Sequence, residues 1–166
     1  GNILMPGFID LHIHGSGGYD FMDANEEQLQ TIANSLYQEG TTSFLATTLT
    51  ADIKSLLRVC RTVAKAKKHI PSLLGIHLEG PFIGLKYKGA QNEKFIADPS
   101  IEQLEKMIKA SKKNIRYITL APEKENALPF IQYATEHGIV CSAGHTDATF
   151  AQVQQAIPYG LASTTH

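Results

Sequence analysis

Short apolar runs and helical patterns alternate strictly along this chain, and that alternation constrains its fold more than any other feature. The runs fall at residues 6–14, 42–48, 73–79, 117–121, 139–145 and 161–166, each of strand length and rich in apolar residues on both faces. Between them Leu29, Ile32, Ala33, Leu36 and Tyr37 repeat with helical spacing. So do Ile53, Leu56, Leu57, Cys60, Val63 and Ala64; Ile101, Leu104, Met107 and Ile108; Ala127, Phe130, Ile131 and Ala134; and Phe150, Val153, Ala156 and Ile157. Asn25 with Gln28 and Asp98 with Pro99 have the chemistry of helix starts, while Gly40, Gly138 and Gly160 stand where a helix must stop and a strand begin. Such alternation implies an α/β fold with parallel strands and right-handed crossovers. Two architectures satisfy it: a doubly wound open sheet, or a (βα)8 TIM-type barrel of which about six βα units are present.

The segment 82–98 is too long for an ordinary strand-to-helix loop, and in a barrel it lies on the active-site face. The formal net charge of -1 provides no basic field for nucleic acid or anionic lipid, so a small-molecule partner is expected. Absence of a bilayer-spanning apolar stretch and of a secretion signal makes a cytoplasmic location the expectation. Cys60 and Cys141 have neither metal-site nor CxxC spacing and are expected to be buried, reduced thiols.

The chemistry concentrates in Asp10-Leu11-His12-Ile13-His14, at the end of the first run. Alternation along a strand puts His12 and His14 on one face, where two imidazoles can share a metal ion. The glycines of Gly15-Ser16-Gly17-Gly18 then allow the backbone to pass close to a ligand. Glu79, His145 and His166 also stand at ends of later runs, and parallel strands bring all such ends to one side. The five residues are therefore a candidate site for a divalent ion, zinc or iron fitting nitrogen and carboxylate donors. His77 could face the site from deeper in. His69 has the setting of a solvated surface residue, and His137 that of a helix C-terminus.

At these residues the sequence resembles the N-acetylglucosamine-6-phosphate deacetylases of the amidohydrolase superfamily. The resemblance rests on residues 5–15, His77-Leu78-Glu79-Gly80-Pro81-Phe82, Lys88-Gly89-Ala90-Gln91-Asn92, Leu120-Ala121-Pro122-Glu123, Gly144-His145-Thr146-Asp147-Ala148 and Thr165-His166. It implies a metal-dependent (βα)8 barrel that hydrolyses the N-acetyl amide of an amino-sugar phosphate. It also implies that Glu79, His145 and His166 hold the principal metal, and that Glu79 bridges to a second ion held by His12 and His14. The KGAQN element would place Ala90, Gln91 and Asn92 against substrate, with Gln91 standing where many members carry a histidine that contacts the substrate carbonyl.

Against the family pattern the chain, taken as one barrel domain over residues 1–166, lacks the small β domain and the last barrel strands. The general-base aspartate is expected beyond residue 166, and the 166-residue chain alone is expected to be inactive and prone to associate through open sheet edges. The resemblance implies a homodimer for the full-length protein. Another amidohydrolase, acting on a cyclic amide or as a deaminase, is the nearest rival. A non-catalytic metal-binding piece is the second, and a nucleotide-binding domain is disfavoured because the glycines lack the GxGxxG order.

Overall fold

In a computed structural model, which describes residues 3–166, the expected alternation is realised. Strand β1 (Phe8–Ile13) is followed by a short hairpin, β2 (Gly15–Ser16) and β3 (Tyr19–Asp20), and then by α1 (Glu26–Gln38) and β4 (Thr41–Thr47). The chain continues through α2 (Ile53–Ala66), β5 (Leu73–Glu79), α3 (Ile101–Ala110), β6 (Ile115–Leu120), α4 (Ala127–Glu136), β7 (Val140–Ala143), α5 (Phe150–Ala156) and β8 (Leu161–Thr164). One parallel six-stranded sheet has the order β1-β4-β5-β6-β7-β8.

Two observations separate a barrel from a doubly wound sheet. Laid flat, strands β1 and β8 at opposite edges would stand roughly 24 Å apart at the usual strand spacing. Yet the rings of His12, on β1, and His166, just past β8, are 5.4 Å apart, so the sheet must curl. Successive helices also touch, α1 with α2, α2 with α3 and α3 with α4, which places them in one layer on the convex face. The structure is part of a TIM-type (βα)8 barrel.

The helical stripes read from the sequence are the faces that pack on this sheet. Leu29, Ile32 and Leu36 of α1, Leu56, Val59 and Val63 of α2, and Phe130 and Ile131 of α4 are buried against Phe44, Ile76, Leu78 and Ile118 of the strands. The concave face is different: His77, Tyr117, Thr119 and Ser142 point into it, so the central strands are not apolar on both sides. The hydroxyls there bond one another, Thr119 with Thr165 at 2.9 Å and Ser142 with Thr165 at 2.6 Å.

Asn25 and Gln28 form the expected capping box, and Gly40, Gly138 and Gly160 take positive φ where their helices end. Helix α3 begins later than expected. Ser100 caps it, accepting from the Gln103 amide, while Asp98 pairs with Lys124 at 3.0 Å. Tyr37 is 60% exposed because it lies about 80° around the helix from Leu29, at the rim of the buried stripe. Phe150, at the start of α5, and Ile157, just past its end, are also exposed. The glycines of 15–18 do not line the site. They make the β2–β3 hairpin, Gly17 and Gly18 at positive φ, and a Cβ on Gly15 would fall 2.0 Å from the Tyr19 carbonyl oxygen.

Both cysteines are buried, and desolvation pushes each thiol up to about 12. Neither is expected to react with an aromatic disulfide reagent at neutral pH until the protein is denatured, when both should titrate. No helix among the described residues is long and apolar enough to cross a membrane.

Candidate metal centre

Glu79, the last residue of β5 and only 2% exposed, gathers four imidazoles from three other strand ends. Its Oε1 lies 3.2 Å from His12 Nε2, 3.1 Å from His145 Nε2 and 3.5 Å from His166 Nε2, and its Oε2 lies 3.2 Å from His14 Nε2. The ligating atoms of His12, His14 and Glu79, and separately those of Glu79, His145 and His166, all fall within 4.8 Å of one another. Glu79 thus belongs to both groups. Burial pushes the Glu79 carboxyl up, but hydrogen bonds from His12 and His14 outweigh it and hold the group well below the usual carboxylate range. The bond to Glu79 correspondingly raises His14 from its ordinary value.

The donor set fits a divalent ion on three counts. Two ligands of a tetrahedral ion bound at roughly 2.0–2.1 Å stand about 3.3 Å apart. The carboxylate–imidazole distances here, 3.1 to 3.5 Å, bracket that value. The His145 tautomer points the same way: Nδ1 lies 2.8 Å from the Tyr87 carbonyl, which can only accept, so Nδ1 carries the proton and Nε2 aims a lone pair at a carboxylate oxygen. That contact is repulsive unless a cation or a proton lies between. His12 Nε2 and His14 Nε2 likewise face each other at 3.3 Å, and His14 Nδ1 is buried without a partner.

The backbone that carries His12 and His14 departs from a regular ladder. Pairing of β1 with β4 shifts register between Asp10 and Ile13, and side chains take the polar groups this frees. The His12 N–H donates to the Asp10 carboxylate at 2.9 Å, and the Ile13 N–H donates to the Thr47 hydroxyl at 3.0 Å. The Leu11 carbonyl accepts from His77 Nδ1 at 2.8 Å, which leaves His77 Nε2 to accept from the Thr119 hydroxyl at 2.7 Å. Burial pulls His77 down to about 4, so it is neutral at pH 7 and acts as a strut beneath the ligands.

Asp10, Thr47, Thr119 and Thr165 were not legible as supporting residues from their spacing; for Asp10 alone, its place two residues before His12 was a local signal. In the full-length protein Asp10→Ala is expected to weaken divalent-ion binding by the His12–His14 group about 10–100-fold, and competition with a chelator measures it.

Gln91 is buried and engaged at both ends of its amide. Its Nε2 donates to Glu79 Oε2 at 2.6 Å and its Oε1 accepts from the Thr50 N–H at 2.6 Å, so it braces the carboxylate and retains one further N–H. Ala90 lines the cleft above the cluster. Asn92 directs its side-chain oxygen to the Lys94 N–H at 3.1 Å and caps the short turn Glu93–Phe95. His137 ends α4 and bonds the Tyr133 carbonyl at 2.8 Å, and His69 is exposed; both stand apart from the cluster. An open cleft of about 1030 Å³ covers the site, with Glu79 its only carboxylate among the described residues.

The sequence pattern of the amidohydrolase family matches residues 3–166. The chain belongs to the amidohydrolase family. Within it the chain is 42% identical, over its whole length, to an N-acetylglucosamine-6-phosphate deacetylase of Lysinibacillus sphaericus, covering 44% of that protein. It is 38% identical over 99% of its length to a protein of the same name from Bacillus subtilis, covering 43% of it. Among solved structures, a mutant N-acetyl-D-glucosamine-6-phosphate deacetylase of Mycobacterium smegmatis, in complex with N-acetyl-D-glucosamine-6-phosphate, superposes with a TM-score of 0.93 at 33% identity, covering 97% of this chain and 42% of that one. This amidohydrolase chain spans a little over two fifths of the length of the curated relatives it matches.

Proposed function

We propose that this chain is the metal-holding part of a deacetylase that hydrolyses the N-acetyl amide of N-acetylglucosamine 6-phosphate, giving glucosamine 6-phosphate and acetate. The observation that carries the reading is Glu79 shared between two pairs of imidazoles at the floor of an open cleft, on the side of the barrel where the strands end. Relatives that carry this activity in their names, aligned along the whole chain, give the substrate class.

Glu79 with His145 and His166 would hold one divalent ion, zinc or iron, and Glu79 with His12 and His14 a second. When bound, such an ion supplies positive charge that polarises the acetamide carbonyl and acidifies water. The chain's residues supply orientation. The Tyr87 carbonyl sets the His145 tautomer, Gln91 fixes the Glu79 carboxylate, and the remaining Gln91 N–H is a donor available to the substrate carbonyl, with Ala90 beside it on the cleft wall; Asn92 caps the turn Glu93–Phe95 and does not line the cleft. Glu79 is engaged by imidazoles and no other described carboxylate lines the cleft; the family resemblance implies that an aspartate beyond residue 166 transfers the proton to the leaving amine. The same protein would supply the strands that close the barrel and would act as a homodimer on a small-molecule substrate. Alone, the 166-residue chain, with Phe8, Ile9 and Leu11 of its edge strand exposed, is expected to release no acetate and to self-associate.

The test is acetate release from N-acetylglucosamine 6-phosphate by the full-length protein, with metal content measured on the same sample. Release of acetate with bound metal, with release lost and metal content lowered in His145→Ala, supports the proposal. A full-length protein that binds no divalent ion would overturn it.

A further inference from the structure

The element Leu120-Ala121-Pro122-Glu123 contributes neither a ligand nor a lining residue, yet its glutamate stands at a junction. Glu123 follows β6, the strand between β5 and β7, and the loops after those two strands meet over it. One carboxylate oxygen accepts the Asp147 N–H at 2.7 Å, and the other accepts the Thr146 hydroxyl. These are the two residues directly after His145. Thr146 is pinned in turn, its oxygen accepting the Ala148 N–H at 2.9 Å.

His145 itself has φ 50, a left-handed conformation that a residue with a Cβ rarely adopts unless its surroundings impose it. In that conformation the imidazole lies between the Tyr87 carbonyl, 2.8 Å from Nδ1, and Glu79 Oε1, 3.1 Å from Nε2. The His145 carbonyl turns the other way and accepts the Gly84 N–H at 2.7 Å. Gly84 can approach because it lacks a side chain. A Cβ there would stand 2.9 Å from that carbonyl oxygen and 3.3 Å from the Glu123 carboxylate. The turn that presents His145 is therefore held from two sides, by a backbone contact at Gly84 and by an anionic acceptor at Glu123.

We propose that Glu123 is a positioning residue of the metal centre: its carboxylate holds residues 145–147 in the turn that directs the His145 imidazole at Glu79. This rests on the metal reading given above. Two charge-assisted acceptor contacts at one end of a three-residue turn are stronger than neutral ones, and loss of such an outer support loosens a ligand without removing it.

The experiment uses the full-length, metal-free protein titrated with cobalt(II) against a competing chelator, with the visible spectrum of the bound ion recorded for wild type, Glu123→Ala, Glu123→Gln and His145→Ala. Glu123→Ala is expected to bind cobalt about 10–100-fold more weakly with an altered spectrum, and to recover kcat at saturating metal with KM unchanged. Glu123→Gln should regain most of the affinity, because its amide oxygen still accepts from Asp147 and its NH2 can donate to Thr146. If Glu123→Ala binds cobalt with wild-type affinity and spectrum while His145→Ala does not, the inference fails and the metal reading stands. A Glu123→Ala protein that loses only thermal stability in its metal-free form overturns it in the same way, by showing a purely structural role. If wild type binds no cobalt, or His145→Ala binds it as tightly as wild type, the metal reading fails and takes the inference with it.

Discussion

Glu79→Gln in the full-length protein is expected to remove bound metal and lower kcat/KM by at least about 10³-fold, a loss of roughly 4 kcal/mol of transition-state stabilisation. Glutamine keeps the volume and one acceptor oxygen, so the substitution isolates the charge. In the wild type one carboxylate lies within 3.5 Å of all four imidazoles, and each candidate group contains it. An amide presents to those nitrogens either a neutral oxygen or an NH2 that cannot ligate. Both groups therefore fail together, which single histidine substitutions would not cause: His14→Ala should spare the group of Glu79, His145 and His166. Metal content by elemental analysis, followed by turnover at excess metal, checks the prediction. A Glu79→Gln protein with full metal occupancy would show that the imidazoles hold the ions without the Glu79 charge.

The largest expected effect on stability is at Phe82. Its ring is fully buried, 4.9 Å from the ring of Phe130 in edge-to-face contact, and its carbonyl accepts the Ala121 N–H at 2.9 Å. Phe82→Ala is expected to cost about 3–5 kcal/mol, because the surroundings can only partly collapse into the space left. The midpoint of denaturant unfolding should fall while its slope stays constant. Leu85→Ala, three residues later and 60% exposed, should change stability by no more than about 0.5 kcal/mol. Phe82 also begins the long segment that carries Tyr87 and Gln91, the partners of His145 and Glu79. Its loss is expected to weaken metal binding even in the fraction that remains folded.

Much of the centre was legible because strand parity and strand ends are local properties. His12 and His14 share a face by their spacing, and Glu79, His145 and His166 reach one rim because every strand of the sheet runs the same way. What holds those ligands was legible only in part: His77 was expected to face the site from deeper in, but its bonds, and the other supports, were not. Asp10, Thr47 and His77 compensate an interruption in the β1–β4 ladder, and which backbone groups an irregular ladder leaves free depends on the partner strand. Glu123 meets Thr146 and Asp147 only because β6 lies beneath two loops that join above it. The glycines after His14 were expected to let the backbone pass close to a ligand, and they serve instead to form a hairpin packed against Tyr19, a contact that spacing alone does not reveal.

By itself, then, the sequence determined the alternation of strands and helices, the buried stripe of each helix, and the five residues able to serve as ligands. These follow from periods of two and 3.6 residues and from the few side chains that can bind a metal ion. Only the tertiary structure decided that the sheet curls and carries its helices on one face, that Glu79 is common to both groups of histidines, and that Gln91 braces it while Asn92 caps a turn. The reason is that curl, shared contacts and satisfied backbone groups are properties of several strands at once. Side-chain direction to within an ångström is set by neighbours distant in the chain.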